Sequence, residues 1–77
     1  MDIQVLGTGC AKCKSTVALI EEVARAKGVG IALSKVESPR DIARFGVMST
    51  PGVVIDGKVV HAGGVPARSQ VEAWLAA

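Results

Sequence analysis

The chain has 77 residues, 49% of them hydrophobic but only 3% aromatic, and nine Lys and Arg against seven Asp and Glu leave a formal charge of +2. So short a chain has no room for a second domain. Its scattered basic residues and lone Phe and Trp offer nucleic acid neither a phosphate-tracking stripe nor a stacking platform, and no apolar run approaches the roughly 20 residues of a bilayer span. The opening Met1-Asp2-Ile3-Gln4 lacks the basic start and long apolar stretch of a signal peptide. The expectation is a single cytoplasmic domain over residues 1–77 with an aliphatic core, and neither a nucleic-acid nor a membrane partner.

Asp2 to Leu6 is a short β-rich run closed by Gly7-Thr8-Gly9, a first strand followed by a flexible loop. In the helix that follows, Val17, Ile20, Val23 and Ala24, with Leu19 and Ala26 beside them, recur at helical spacing. Lys14, Glu21, Glu22, Arg25 and Lys27 fall mostly toward solvent, and Gly28 stands where a C′ glycine stops a helix. Gly30 to Val36 reads as a second strand. Ser38-Pro39-Arg40-Asp41 is a helix start: Ser38 caps, Pro39 takes the first helical position and Asp41 complements the dipole. That helix is short and ends near Gly46.

After Thr50-Pro51-Gly52, the runs Val53 to Ile55 and Lys58 to His61 flank Asp56-Gly57, a strong hairpin signal. Gly63-Gly64 breaks the last strand, Pro66 marks a helix N1, and Ala67 to Ala76 forms a closing helix with Val71, Trp74 and Leu75 inward. The order is β-α-β-α-β-β-α, an α/β fold with three helices and one mixed four-stranded sheet. Its two helical crossovers predict parallel pairing among the first three strands.

The only cysteines are Cys10 and Cys13, in Gly9-Cys10-Ala11-Lys12-Cys13, where a strand gives way to a helix. Unpaired backbone N–H groups and the macrodipole at a helix N-terminus favour an anion, and a thiolate is one. Cys10 at the tip is expected to be the exposed, more acidic attacking thiol, with Lys12 and Lys14 adding positive charge. Cys13, one turn in, is expected to be the buried resolving thiol, and the i, i+3 spacing brings the two sulfurs onto one face. A loop closed across two residues cannot staple the domain, so the pair points to chemistry. Two thiolates alone could also hold a soft metal ion such as copper. A complete zinc site lacks its third and fourth ligands, since the one histidine, His61, lies far off in sequence. His61 and Trp74 read as a surface residue and a core residue.

The strand-then-C-x-x-C-helix opening, together with Phe45-Gly46-Val47-Met48-Ser49-Thr50-Pro51 before a strand and an Asp-Gly-Lys turn, resembles the thioredoxin superfamily in a short, glutaredoxin-sized form. The resemblance implies a thiol-disulfide oxidoreductase without a bound cofactor. Its catalytic residues would be Cys10 and Cys13, and Pro51 would be a cis-proline beside them. Gly9, Ala11, Lys12, Thr50 and Pro51 would line the substrate site. A protein or small-molecule disulfide would be the substrate and a disulfide reductase the electron donor. Three departures stand out: Gly9 replaces the usual aromatic, Ala11-Lys12 replaces Gly-Pro, and the family's buried acid aligns with Gln4. Gly63-Gly64 resembles the double glycine by which glutaredoxins hold glutathione, although the acidic residues that follow it there are replaced by Pro66-Ala67-Arg68. The Gly-x-Gly-Cys-x-x-Cys loop is also similar to that of the ferredoxin-like copper chaperones, whose order ends in a strand where this chain ends in a helix.

Overall fold

A computed structural model of the chain describes residues 1–7, 11–47 and 49–76. The elements are β1 (Asp2–Leu6), α1 (Ala11–Lys27), β2 (Ala32–Val36), α2 (Pro39–Arg44), β3 (Gly52–Ile55), β4 (Lys58–Ala62) and α3 (Arg68–Trp74). This is the order expected from the sequence. One four-stranded sheet runs β2-β1-β3-β4, with β1 and β2 parallel and the pairs β1·β3 and β3·β4 antiparallel.

The parallel expectation therefore holds for β1 and β2 and fails for β3. α2, six residues rising about 9 Å, does not span the roughly 16 Å length of a five-residue strand. The chain instead re-enters the sheet at the end where β2 left it, with Gly52 opposite Leu6.

Strand alternation divides the interior. Ile3, Val5 and Val53 face α1 and α3, where they pack with Val17, Ile20, Val23, Ala24, Val71 and Leu75. Leu6 and Val54 face the other way and pack with Ile42 and Val47 beside α2. A residue's parity on β1 thus decides which layer it joins.

The signals that end elements mostly fall where the sequence put them. Gly28 adopts φ +67°, its N–H meets the Arg25 carbonyl at 3.3 Å and Val29 N–H meets that of Ala24 at 3.0 Å, a Schellman ending. Asp56 and Gly57, at φ 49° and 83°, form the tight hairpin turn.

Three element ends differ in detail. β2 begins at Ala32 rather than Gly30, because its pairing with β1 starts at Asp2 opposite Ala32. Ser38 is the residue before α2, but its side chain makes no capping bond. Pro66 is not the first helical residue of α3: Ala67 is the N-cap, its N–H held at 3.0 Å by Gln70 Oε1, and the helix ends at Trp74. An exposed bond from Arg68 to Glu22 at 2.9 Å links α3 to α1 and holds the guanidinium above its usual pKa.

A candidate dithiol site at the start of helix α1

Cys13 occupies the third residue of α1 and is buried, with 6% of its surface exposed. The first turn is reinforced by Thr16, fully buried, whose hydroxyl donates to the Lys12 carbonyl at 2.8 Å. Ala11 and Lys12 are exposed beside it. Gly9 and Cys10, the other sequence-stated site residues on this loop, lie outside the described residues.

Gly7 is the residue that sequence reading undervalued. It reads as a flexible loop, yet it is buried and its N–H donates to the Val36 carbonyl at 2.9 Å, extending the β1·β2 ladder by one bond. A Cβ at Gly7 would collide with Cys13 Sγ and lie 3.2 Å from Cys13 Cβ. The glycine gives the sulfur its room. The available signal was parity: after Ile3 and Val5, Gly7 is the next β1-side position facing α1.

The same point at Gly7 lies 3.8 Å from Thr50 Cβ, so the segment before β3 reaches the surroundings of Cys13. The Thr50–Pro51 peptide bond is cis; Thr50 is exposed and Pro51 buried. Pro51 O accepts a bond from Gly63 N–H at 2.9 Å, and a Cβ on Gly63 would press on Ser49 at 3.2 Å. Gly63 and Gly64, at φ 83° and 75°, therefore turn the chain tightly against the Thr50-Pro51 segment. Cys13, Thr50 and Pro51 come from widely separated parts of the chain and share one end of the sheet.

Gln4 does not take part. It shares a cavity with Val36, Asp41, Arg44 and Phe45 on the α2 side, whereas Cys13 shares one with Val5 and Gly7 on the α1 side. The β1 residue facing the Cys13 region is Val5, which has no proton to exchange.

His61 corrects another expectation. It is half-buried, not a free surface residue: Nε2 lies 2.9 Å from the Gly64 carbonyl and its ring centroid 5.9 Å from that of Trp74. Trp74 is partly buried against the main core. Among the described residues no group of three or more His, Cys, Asp and Glu could hold a metal ion, and no helix is long and apolar enough to cross a membrane.

A β-α-β-α-β-β-α sheet with a cysteine buried in the first turn of the first helix is the architecture of a short thioredoxin-like protein. A family model described as a thioredoxin domain matches residues 1–76, and the chain belongs to that family. It is 32% identical over 73 residues to a thioredoxin of Methanocaldococcus jannaschii, a match covering 95% of this chain and 84% of that one. It is 28% identical over 75 residues to a thioredoxin of Methanothermobacter thermautotrophicus, covering 97% of both.

Proposed function

We propose that this thioredoxin-like redox protein is a thiol-disulfide oxidoreductase in which Cys10 attacks a substrate disulfide and Cys13 resolves the mixed disulfide. The supporting observation is the burial of Cys13 in the first turn of α1, with Gly7 making room for its sulfur, in a chain that the thioredoxin domain model spans almost end to end. A buried second thiol is protected from bulk oxidants and is reached by a sulfur held next to it, which suits a resolving role. The helix begins at Ala11, directly after Cys10 in sequence, so its unpaired N–H groups and the exposed Lys12 are available to favour an attacking thiolate.

In the reductive direction the Cys10 thiolate displaces one sulfur of the substrate disulfide, and the Cys13 thiolate then displaces the other from Cys10. The substrate gains two electrons and the protein becomes a Cys10–Cys13 disulfide. Gly9, Ala11, Lys12, Thr50 and Pro51 are the residues assigned to substrate binding. Protein or small-molecule disulfides are the substrates, a disulfide reductase restores the dithiol, and the whole chain works as one cytoplasmic domain without a resident cofactor.

The test is a redox titration of the metal-free protein in dithiothreitol or glutathione buffers, with the thiols alkylated and weighed. One two-electron transition, with Cys10 alkylated first in the reduced form, is the expected result. No disulfide at any accessible potential would sink the proposal and turn attention to Cu(I) binding by the two thiolates.

A further inference from the structure

A dithiol that resolves its own mixed disulfide must take a proton from the buried thiol, and β1 offers no group to accept it. Val5 faces the Cys13 side and is apolar; Gln4 faces the other. Among the described residues, a carboxylate near Cys13 is found on another element.

One small cavity, about 60 Å³, is lined by Cys13 with Val5, Gly7, Lys14, Val17, Lys35 and Glu37. Register explains the membership. Lys35 on β2 pairs with Val5, and Gly7 N–H bonds the carbonyl of Val36 between Lys35 and Glu37. Val5, Gly7, Lys35 and Glu37 therefore share the α1 face of neighbouring strands. The cavity exceeds the roughly 10–15 Å³ that a single water needs, so it has room for water. The charged groups around it are Lys14 from α1, Lys35 from β2 and Glu37 just beyond β2; β1 contributes none. In their charged forms the lysines have no lone pair to accept a proton, so they can only stabilise a thiolate once formed. Among the described residues Glu37 is the one carboxylate on the cavity wall, and it is exposed, so it can pass a proton onward to solvent.

We infer that Glu37 is the proton acceptor for Cys13, acting through cavity water, and that Lys14 and Lys35 steady the thiolate that results. The inference rests on the exchange reading above. In the resolving step the Cys13 S–H proton passes through water to the Glu37 carboxylate, and the Cys13 thiolate attacks Cys10 Sγ. The bond from Cys10 to the substrate sulfur breaks, the Cys10–Cys13 bond forms, and the substrate sulfur leaves with the electron pair as a thiolate. Glu37 then releases its proton to water, from which the departing thiolate is protonated. Glu37 touches no reacting sulfur in this scheme; it is a relay residue.

The experiment mixes the reduced protein with one equivalent of 5,5′-dithiobis(2-nitrobenzoate) and follows thionitrobenzoate release by stopped flow across pH 6 to 10. The first release reports attack by Cys10 and the second reports resolution by Cys13. Near neutral pH, Glu37→Gln is expected to slow the second phase by about tenfold or more, the low end of general-base effects or below given the intervening water. It should leave the first phase within about twofold, and its deficit should vanish at high pH, where hydroxide deprotonates Cys13 directly. Glu37→Asp, which keeps a carboxylate, should recover most of the rate. Removing a negative charge by itself would make Cys13 more acidic and speed resolution, so a second phase as fast as or faster than the wild type overturns the relay. A wild-type protein that releases only one equivalent, with no Cys10–Cys13 disulfide by mass, fails differently: the exchange reading itself falls, and the relay with it.

Discussion

The two faces of the sheet do different work. On the α1 and α3 side, nine of the described residues, from β1, β3, α1, α3 and Leu75 just after it, form the main core, and the same face continues past Val5 into Gly7, Cys13 and the cavity. On the α2 side, four of the described residues make a smaller cluster beside a six-residue helix. The candidate dithiol site lies on the side with the larger core. Cys13 is held by the helix with the most buried neighbours, while the weaker layer brings the chain from β2 round to Thr50 and Pro51.

The sharpest test of that division is to remove the sulfurs. Cys10→Ser is expected to abolish disulfide exchange and Cys13→Ser to accumulate mixed disulfides visible by mass, both with urea midpoints near that of the reduced wild type. Exchange activity surviving in Cys10→Ser would reverse the assigned roles.

Next in size is a contrast of stability between the layers. Ile20→Ala on the main-core side should cost about 3–5 kcal/mol, and Ile42→Ala on the α2 side about 2–3 kcal/mol, because the smaller cluster can collapse further around a void. Urea unfolding measures both, and equal losses would erase the distinction.

Gly7→Ala tests the contact between scaffold and sulfur. The added methyl must displace Cys13 Sγ or the strand, so a loss of about 1–3 kcal/mol is expected, together with slower resolution by Cys13 and an unimpaired first attack by Cys10. Wild-type values on both measures would show that the sulfur moves aside freely.

The smallest effect belongs to Arg68→Ala at the exposed link between α3 and α1. Solvent screens such pairs, so its urea midpoint should match the wild type within error, and a clear drop would show α3 to be held by charge rather than by Val71 and Leu75.

Local rules made much of this molecule legible. Gly28 stops α1 and Asp56-Gly57 turns the hairpin because positive φ is a single-residue property. Val17, Ile20, Val23 and Ala24 announced the inner face of α1 because helical periodicity survives in any context that buries one side. The Cys10-Ala11-Lys12-Cys13 spacing, where a strand gives way to a helix, is legible as a candidate thiol pair.

Tertiary structure decided what depends on partners distant in sequence. Whether β3 runs parallel or antiparallel to β1 is fixed by where the chain re-enters the sheet, with Gly52 opposite Leu6. His61 gained partners in Gly64 and Trp74 that no local pattern announces. Gln4 and Val5 are neighbours in sequence, and strand pleat sends them to opposite layers, so which of them faces Cys13 became clear only once β1 was seated in the sheet. The same pleat turns Gly7 from a loop residue into the space a sulfur occupies, and places Lys35 and Glu37, more than twenty residues on, around the buried thiol. Sequence determines which residues can carry the chemistry, because reactivity and backbone preference are local; their company is fixed by register and packing, which are properties of the whole chain.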